Sequence, residues 1–114
     1  MSVRVIRASF AIFTPALFLF LSLLPARAEG DAAAVFKDKC AVCHAANGDG
    51  STAVGKSMKL RDLRSSDVQK QSDVDLKKIT ASGKGKMPGY QGKLSDAQID
   101  ELVTYMRALA KKSS

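Results

Sequence analysis

The sequence is poor in cysteine and histidine, the residues from which structural zinc sites are built. It has one histidine, two cysteines and no tryptophan among its 114 residues. A structural zinc site needs four ligands, which are usually cysteine and histidine side chains. The two residue types together supply only three candidates, so we do not expect a zinc site of this kind.

Aromatic residues are also few, at 6% of the chain, although lysine and arginine are plentiful. The lysines are spread along the sequence and no aromatic platform accompanies them, so the basic charge does not indicate nucleic-acid binding. Residues 1–28 hold three arginines and no acid, and removing them lowers the net charge from +7 to +4. A modestly basic domain of this size can steer association with acidic partner surfaces.

The first 28 residues have the pattern of a secretory signal peptide. Arg4 and Arg7 precede an apolar run from Ala8 to Leu24, and an Ala-Arg-Ala sequence ends at residue 28. We therefore predict that residues 1–28 are cleaved and that residues 29–114 form one domain with no stable membrane insertion. The alternative is an uncleaved membrane anchor, because the apolar run approaches the length that spans a bilayer.

The most informative stretch is Cys40-Ala41-Val42-Cys43-His44. Two cysteines at this spacing on a helical turn present both thiols to one side, where each can bond to one vinyl group of a haem. The adjacent histidine then faces the iron, which makes C-x-x-C-H the attachment motif of c-type haem. The motif predicts one haem c, attached covalently through Cys40 and Cys43 and with His44 as an iron ligand.

Two other interpretations of the cysteine pair are weaker. A thioredoxin-like dithiol would follow a strand, but residues 31–39 have a helical pattern. A disulfide between Cys40 and Cys43 would close a very short loop and would constrain the unfolded chain little.

A second distinctive stretch runs from Gly83 to Tyr90, with glycines on both sides of Met87-Pro88. It resembles the segment that supplies the distal ligand in small bacterial class I cytochromes, which would make Met87 the sixth ligand of the iron. Met58 follows His44 too closely to reach the distal side, and Met106 falls on an apolar helix stripe. Lys84 or Lys86 could replace the thioether at high pH.

Several helices are predicted from caps and apolar spacing. The first spans residues 31–42 with Asp31 as N-cap, a loop follows over residues 45–52, and a short helical turn covers residues 66–71. Ser72 and Gly83 would cap a helix over residues 73–81. The capping box Ser95-Asp96-Ala97-Gln98 precedes a final helix, whose apolar stripe is Ile99, Leu102, Val103, Met106, Leu109 and Ala110.

Taken together, these features resemble a monohaem class I c-type cytochrome over the whole of residues 29–114. The resemblance implies an all-α cytochrome c fold, with three to five helices wrapped around one covalently bound haem. It implies that Phe36 meets Tyr105 where the terminal helices cross. It also implies a backbone carbonyl that accepts a hydrogen bond from His44, but Gly55-Lys56 stands where the family often has Gly-Pro, so the acceptor is not identified.

The function implied by the resemblance is that of a periplasmic electron carrier. It would be a monomer, not an enzyme, and would shuttle single electrons between respiratory or dehydrogenase partners with acidic docking surfaces. Two alternatives remain open: a ligand-binding sensor with a labile Met87, and a haem subunit docked on a redox enzyme. A peroxidase is disfavoured because there is no second histidine to act as a distal base.

Overall fold

The computed structural model describes residues 29–112, which form six helices and no strand. The predicted signal peptide, residues 1–28, lies outside the described part. No helix among the described residues combines the length and the apolar character needed to cross a membrane. The helices are α1 (Glu29–Lys39), α2 (Ala41–His44), α3 (Ala53–Met58), α4 (Ser66–Gln69), α5 (Asp73–Ser82) and α6 (Asp96–Lys112).

The all-α class is confirmed, with six helices among the described residues where three to five were expected. The helix expected over residues 31–42 is divided at Cys40, whose φ of −112° departs from helical geometry. Asp31 lies inside α1 and is not its N-cap. The structure also contains a helix that was not predicted, α3, which follows the N-cap residue Thr52.

The terminal helices α1 and α6 pack against each other as the resemblance implied. The ring centroids of Phe36 and Tyr105 lie 5.2 Å apart, in a tilted arrangement favourable for aromatic pairs. Ala32 is 4% exposed, so the small side chain is buried. The buried apolar cluster consists of Phe36, Val68, Leu76, Leu94, Ile99, Leu102, Val103, Met106 and Leu109.

The capping predictions for α5 and α6 are confirmed. The Ser72 hydroxyl accepts a hydrogen bond from the Asp75 amide, and Gly83 follows the last residue of α5. At α6, the Ser95 amide donates to the Gln98 side chain at 2.9 Å and the Gln98 amide donates to the Ser95 hydroxyl at 3.2 Å. This reciprocal pair satisfies two amides that the first turn leaves free.

Two polar links hold α5 and the preceding segment against α6. The Arg107 guanidinium donates to the Gln69 and Gln71 carbonyls at 2.7 and 2.6 Å and pairs with Asp73 at 2.8 Å. Lys77 pairs with Asp100 at 2.8 Å. These contacts fix the helix that precedes the Met87 loop.

Candidate haem site

A cavity between the helices brings together three of the four predicted site residues. It contains about 470 Å³ of space, part of which opens to solvent. Cys40, His44 and Met87 line it, whereas Cys43 is not part of the lining. The other lining residues are Phe36, Leu63, Leu76, Ile79, Thr80, Leu102 and Met106.

The cavity wall beyond these residues is apolar except for Thr80. Its buried hydroxyl donates to the Leu76 carbonyl at 2.9 Å, so its proton is already used within α5. A wall of this kind excludes water and favours a large apolar ligand with few polar contacts.

The two cysteines are not joined by a disulfide and are partly buried. Burial raises the pKa of Cys40 to about 11, and the neighbouring Cys43 adds to the rise while Lys39 opposes it. Before haem attachment, Cys40 is therefore a neutral thiol at neutral pH.

His44 is the last residue of α2, and this helix positions it. Its amide donates to the Cys40 carbonyl at 2.9 Å, and its own carbonyl accepts from the Gly50 amide at 2.8 Å. Burial lowers the pKa of His44, which favours the neutral imidazole that binds metals.

The hydrogen bond from His44 to a backbone carbonyl, which the resemblance implied, is not formed among the described residues. Nδ1 of His44 is buried and has no hydrogen-bond partner among them. A buried nitrogen without a partner is uncommon in folded proteins. Gly55-Lys56 stands where the family often has Gly-Pro, and Nδ1 of His44 lacks an acceptor. The orientation of the His44 ring therefore depends on its own backbone and on packing.

The loop that follows His44 is built from local hydrogen bonds, as its sequence predicted. The Asn47 side chain donates to Asp49 at 2.9 Å, and the Asp49 carboxylate accepts from the Ser51 amide at 2.8 Å. The hydrogen bonds from Ser51, then those from Asn47, lower the pKa of Asp49 to about 2. Asn47 and Asp49 are thus turn-forming residues.

Thr52 and Gly55 join this loop to α2, and the sequence interpretation missed their role. The Thr52 hydroxyl donates to the Cys43 carbonyl at 2.8 Å and accepts from the Gly55 amide at 2.9 Å. A Cβ at Gly55 would lie 2.3 Å from the Gly50 oxygen and 2.6 Å from the Cys43 oxygen. Threonine is a favoured N-cap residue, so Thr52 could have indicated the start of α3.

The Met87 loop is fixed at its base by main-chain contacts. Lys84 and Met87 exchange two backbone hydrogen bonds of 3.1 and 3.0 Å, which close the turn. The Tyr90 amide then donates to the Thr80 carbonyl at 3.1 Å. Gly83 has a φ of +78°, and a Cβ there would lie 2.5 Å from the Met87 oxygen. Only glycine fits this crossing of the chain.

Met58 and Met106 are placed as the sequence predicted. Met58 lies on α3, is 38% exposed and does not line the cavity. Met106 is 9% exposed and belongs to the buried cluster, although it also lines the cavity. Lys84 and Lys86 are exposed on the Met87 loop.

The donor set fits a haem. An imidazole and a thioether, carried by separate segments, line the same largely apolar cavity, and one attachment cysteine lies at its wall. Nitrogen and thioether axial ligation is the pattern of cytochromes c. The described residues contain no group of three or more His, Cys, Asp or Glu side chains that could hold a metal ion directly.

Comparison with known proteins agrees with this fit. Residues 27–106 match the family model described as Cytochrome C oxidase, cbb3-type, subunit III. Cytochrome c6 of Thermostichus vulcanus is 32% identical over 100 residues, which cover 85% of this chain and 87% of that protein. Cytochrome c6 of Leptolyngbya boryana is 36% identical over 85 residues, covering 72% and 96%.

The relative from Synechocystis, also a cytochrome c6, is 33% identical over 81 residues; the match covers 69% of this chain and 63% of that protein, less than two thirds of its length. The family model, in contrast, spans most of this chain and includes the C-x-x-C-H motif and the Met87 loop. The chain therefore belongs to the c-type cytochrome family that this model describes and carries covalent haem c.

Proposed function

We propose that the protein is a one-electron carrier in which His44 and Met87 are the axial ligands of a single haem attached through Cys40 and Cys43. The observation that carries the proposal is the convergence of Cys40, His44 and Met87 on one largely apolar cavity. When bound, the haem supplies an iron that alternates between the ferric and ferrous states by gain or loss of one electron.

The chain's own residues then determine what this iron can do. With the imidazole of His44 and the thioether of Met87 both bound to it, the iron would have no free position for a substrate or for oxygen. The thioether also raises the reduction potential relative to a second imidazole. Outer-sphere electron transfer is the reaction that this arrangement supports, and the protein is proposed to act as a carrier and not as an enzyme.

We place the carrier in the periplasm, with residues 1–28 cleaved and residues 29–114 forming a monomeric cytochrome c domain. The partners are respiratory or dehydrogenase proteins with acidic docking surfaces. The net charge of +4 on residues 29–114 supports this, because opposite charges raise association rates at low salt. Second-order rates with a partner that stay constant from low to high ionic strength would contradict electrostatic docking.

The decisive experiment records visible spectra of the protein expressed with a haem-attachment system. The ferric protein should show the weak far-red band of methionine-ligated haem, and the Met87→Ala variant should lose it. Met58→Ala is the matched control, since Met58 is exposed and does not line the cavity; it should keep the band.

A parent protein with high-spin features and no far-red band would overturn the assignment of Met87. Binding of carbon monoxide by the ferrous parent at neutral pH would then favour the ligand-binding sensor. Loss of the band in Met58→Ala but not in Met87→Ala would move the ligand to Met58.

A further inference from the structure

One side-chain hydrogen bond connects the Met87 loop, residues 83–94, with the haem-attachment segment, residues 39–44. The Tyr90 hydroxyl donates to the Lys39 carbonyl at 3.0 Å, across 51 positions of sequence. Tyr90 lies three residues after Met87, and Lys39 lies directly before Cys40. Among the described residues, no other hydrogen bond joins residues 83–94 to residues 39–44.

The break in the helix at Cys40 explains why the Lys39 carbonyl is available. In a regular helix the Cys43 amide would donate to Lys39, four residues earlier. Here the Cys43 amide donates to the Cys40 carbonyl at 3.1 Å. The Tyr90 hydroxyl therefore satisfies a carbonyl at the end of α1 that helix termini leave without a partner.

The tyrosine itself is held firmly on both sides. Its amide donates to the Thr80 carbonyl, and its carbonyl accepts from the Lys93 and Leu94 amides at 2.9 Å. Its ring packs against the buried cluster, with the Lys93 ammonium 6.0 Å from the ring centroid. Burial raises the pKa of Tyr90, so the hydroxyl remains a donor at neutral pH.

From this geometry we propose that Tyr90 is a positioning residue: its hydroxyl ties the Met87 loop to the attachment segment and so determines how readily Met87 leaves the iron. The proposal rests on the proposed function, because it takes Met87 as an axial ligand. The loop is fixed to α5 at its base, and Tyr90 adds the link on the side of the covalently attached haem. Without that link the loop would be held only by its contacts with α5 and the core.

The test is a titration of three ferric proteins with imidazole, which competes with the thioether for the iron. The proteins are the parent, Tyr90→Phe and Tyr105→Phe, and the loss of the far-red band reports displacement. Tyr105→Phe is the matched control, since Tyr105 also packs in the core but its hydroxyl forms no hydrogen bond among the described residues. The apparent affinity for imidazole should rise about three- to tenfold in Tyr90→Phe, the range expected for loss of one neutral hydrogen bond, and should not change in Tyr105→Phe.

Denaturant unfolding of the same holoproteins separates positioning from general stability. Equal imidazole affinities in all three proteins, or equal shifts in both variants, would overturn the role of Tyr90. A fall in the unfolding midpoint of Tyr90→Phe with unchanged imidazole affinity would also overturn it, because the hydroxyl would then be purely structural. A parent without the far-red band would instead contradict the proposed function.

Discussion

The segment around His44 and the loop around Met87 are held by different means. On the His44 side, Thr52 bonds the Cys43 carbonyl and Gly55 packs directly on the same carbonyl, so residues of one contiguous stretch interlock. On the Met87 side, main-chain hydrogen bonds fix the base of the loop. Among the described residues, the only hydrogen bond from this loop to the attachment segment is the one that the Tyr90 hydroxyl donates.

The difference matches the chemistry expected of the two ligands. As an iron ligand, His44 would be kept next to the metal by Cys40 and Cys43, which are bonded to the same haem. Met87, in a distant loop, would be held on the iron only by the fold. The Met87 side is therefore where a small change in packing should alter the spectrum before it alters the stability of the whole protein.

The largest effect is expected when the haem that joins the two sides is removed. In a Cys40→Ala/Cys43→Ala variant purified without haem, most of the helical signal in far-ultraviolet circular dichroism should be lost. A chain of this size has a thin core, and without haem the apolar side chains that line the cavity, among them Phe36, Leu76 and Leu102, would lose the contacts that the haem provides.

Addition of haem to that variant is the control. The cavity, and not the thioether bonds, supplies the packing surface, so helix should return when haem is added. Native helix content in the haem-free variant would show that the two sides are joined by the polypeptide alone.

A pair of glycine substitutions sharpens the comparison between the two sides. In Gly55→Ala the new Cβ would meet the Gly50 and Cys43 oxygens, and in Gly83→Ala it would meet the Met87 oxygen at 2.5 Å. Each should lower the free energy of unfolding of the holoprotein by about 1–3 kcal/mol, as overpacking does. Only Gly83→Ala should also weaken the far-red band, because it displaces the methionine.

Gly92→Ala is the control for backbone conformation. Gly92 has the same φ of +78° as Gly83, but a Cβ there would contact nothing within 4 Å. Gly92→Ala should lower the free energy of unfolding only by the strain of a left-handed non-glycine residue, about 1–2 kcal/mol. It should keep the far-red band. A weaker band in Gly55→Ala than in Gly83→Ala would contradict the difference proposed between the two sides.

The sequence predicted those parts of the structure that local chemistry determines. The caps of α5 and α6, the C-x-x-C-H motif and the glycine-bounded Met87 loop are recorded in adjacent residues. The helix break at Cys40 was not predictable, because the residues on both sides favour helix. The bond from Tyr90 to Lys39 was equally hidden, since its acceptor is a backbone carbonyl that leaves no pattern in the side chains.

Relief of backbone strain on the His44 side should have a smaller effect, and it should raise the free energy of unfolding instead of lowering it. Ala45 has φ of 63° and ψ of 159°, a region occupied almost only by glycine, whereas the left-handed positions of the Met87 loop are already glycines. Ala45→Gly should raise the free energy of unfolding by about 1 kcal/mol, since relief of about 1–3 kcal/mol exceeds the entropic cost of glycine, about 0.5–1 kcal/mol. Guanidinium unfolding of the holoprotein measures it.

The neighbouring Ala46 provides the control for that substitution. Ala46 is exposed and does not have a positive φ, so Ala46→Gly should slightly lower the free energy of unfolding. Equal effects of the two substitutions would show that Ala45 stores no strain.

The smallest effect concerns the pH dependence of the loop after His44. The pKa of Asp49 is lowered from 3.8 to about 2 by hydrogen bonds from Ser51 and Asn47. A lowered pKa in the folded state means that the ionised carboxylate stabilises the fold above about pH 4, and that this contribution is lost as the pH falls towards about 2. Asp49→Asn should therefore be slightly less stable than the parent near neutral pH, and urea unfolding midpoints of the two proteins should converge in acid. A difference that stays constant over this range would mean that the amide and the carboxylate serve the turn equally, and that the interlocked His44 side owes nothing to charge.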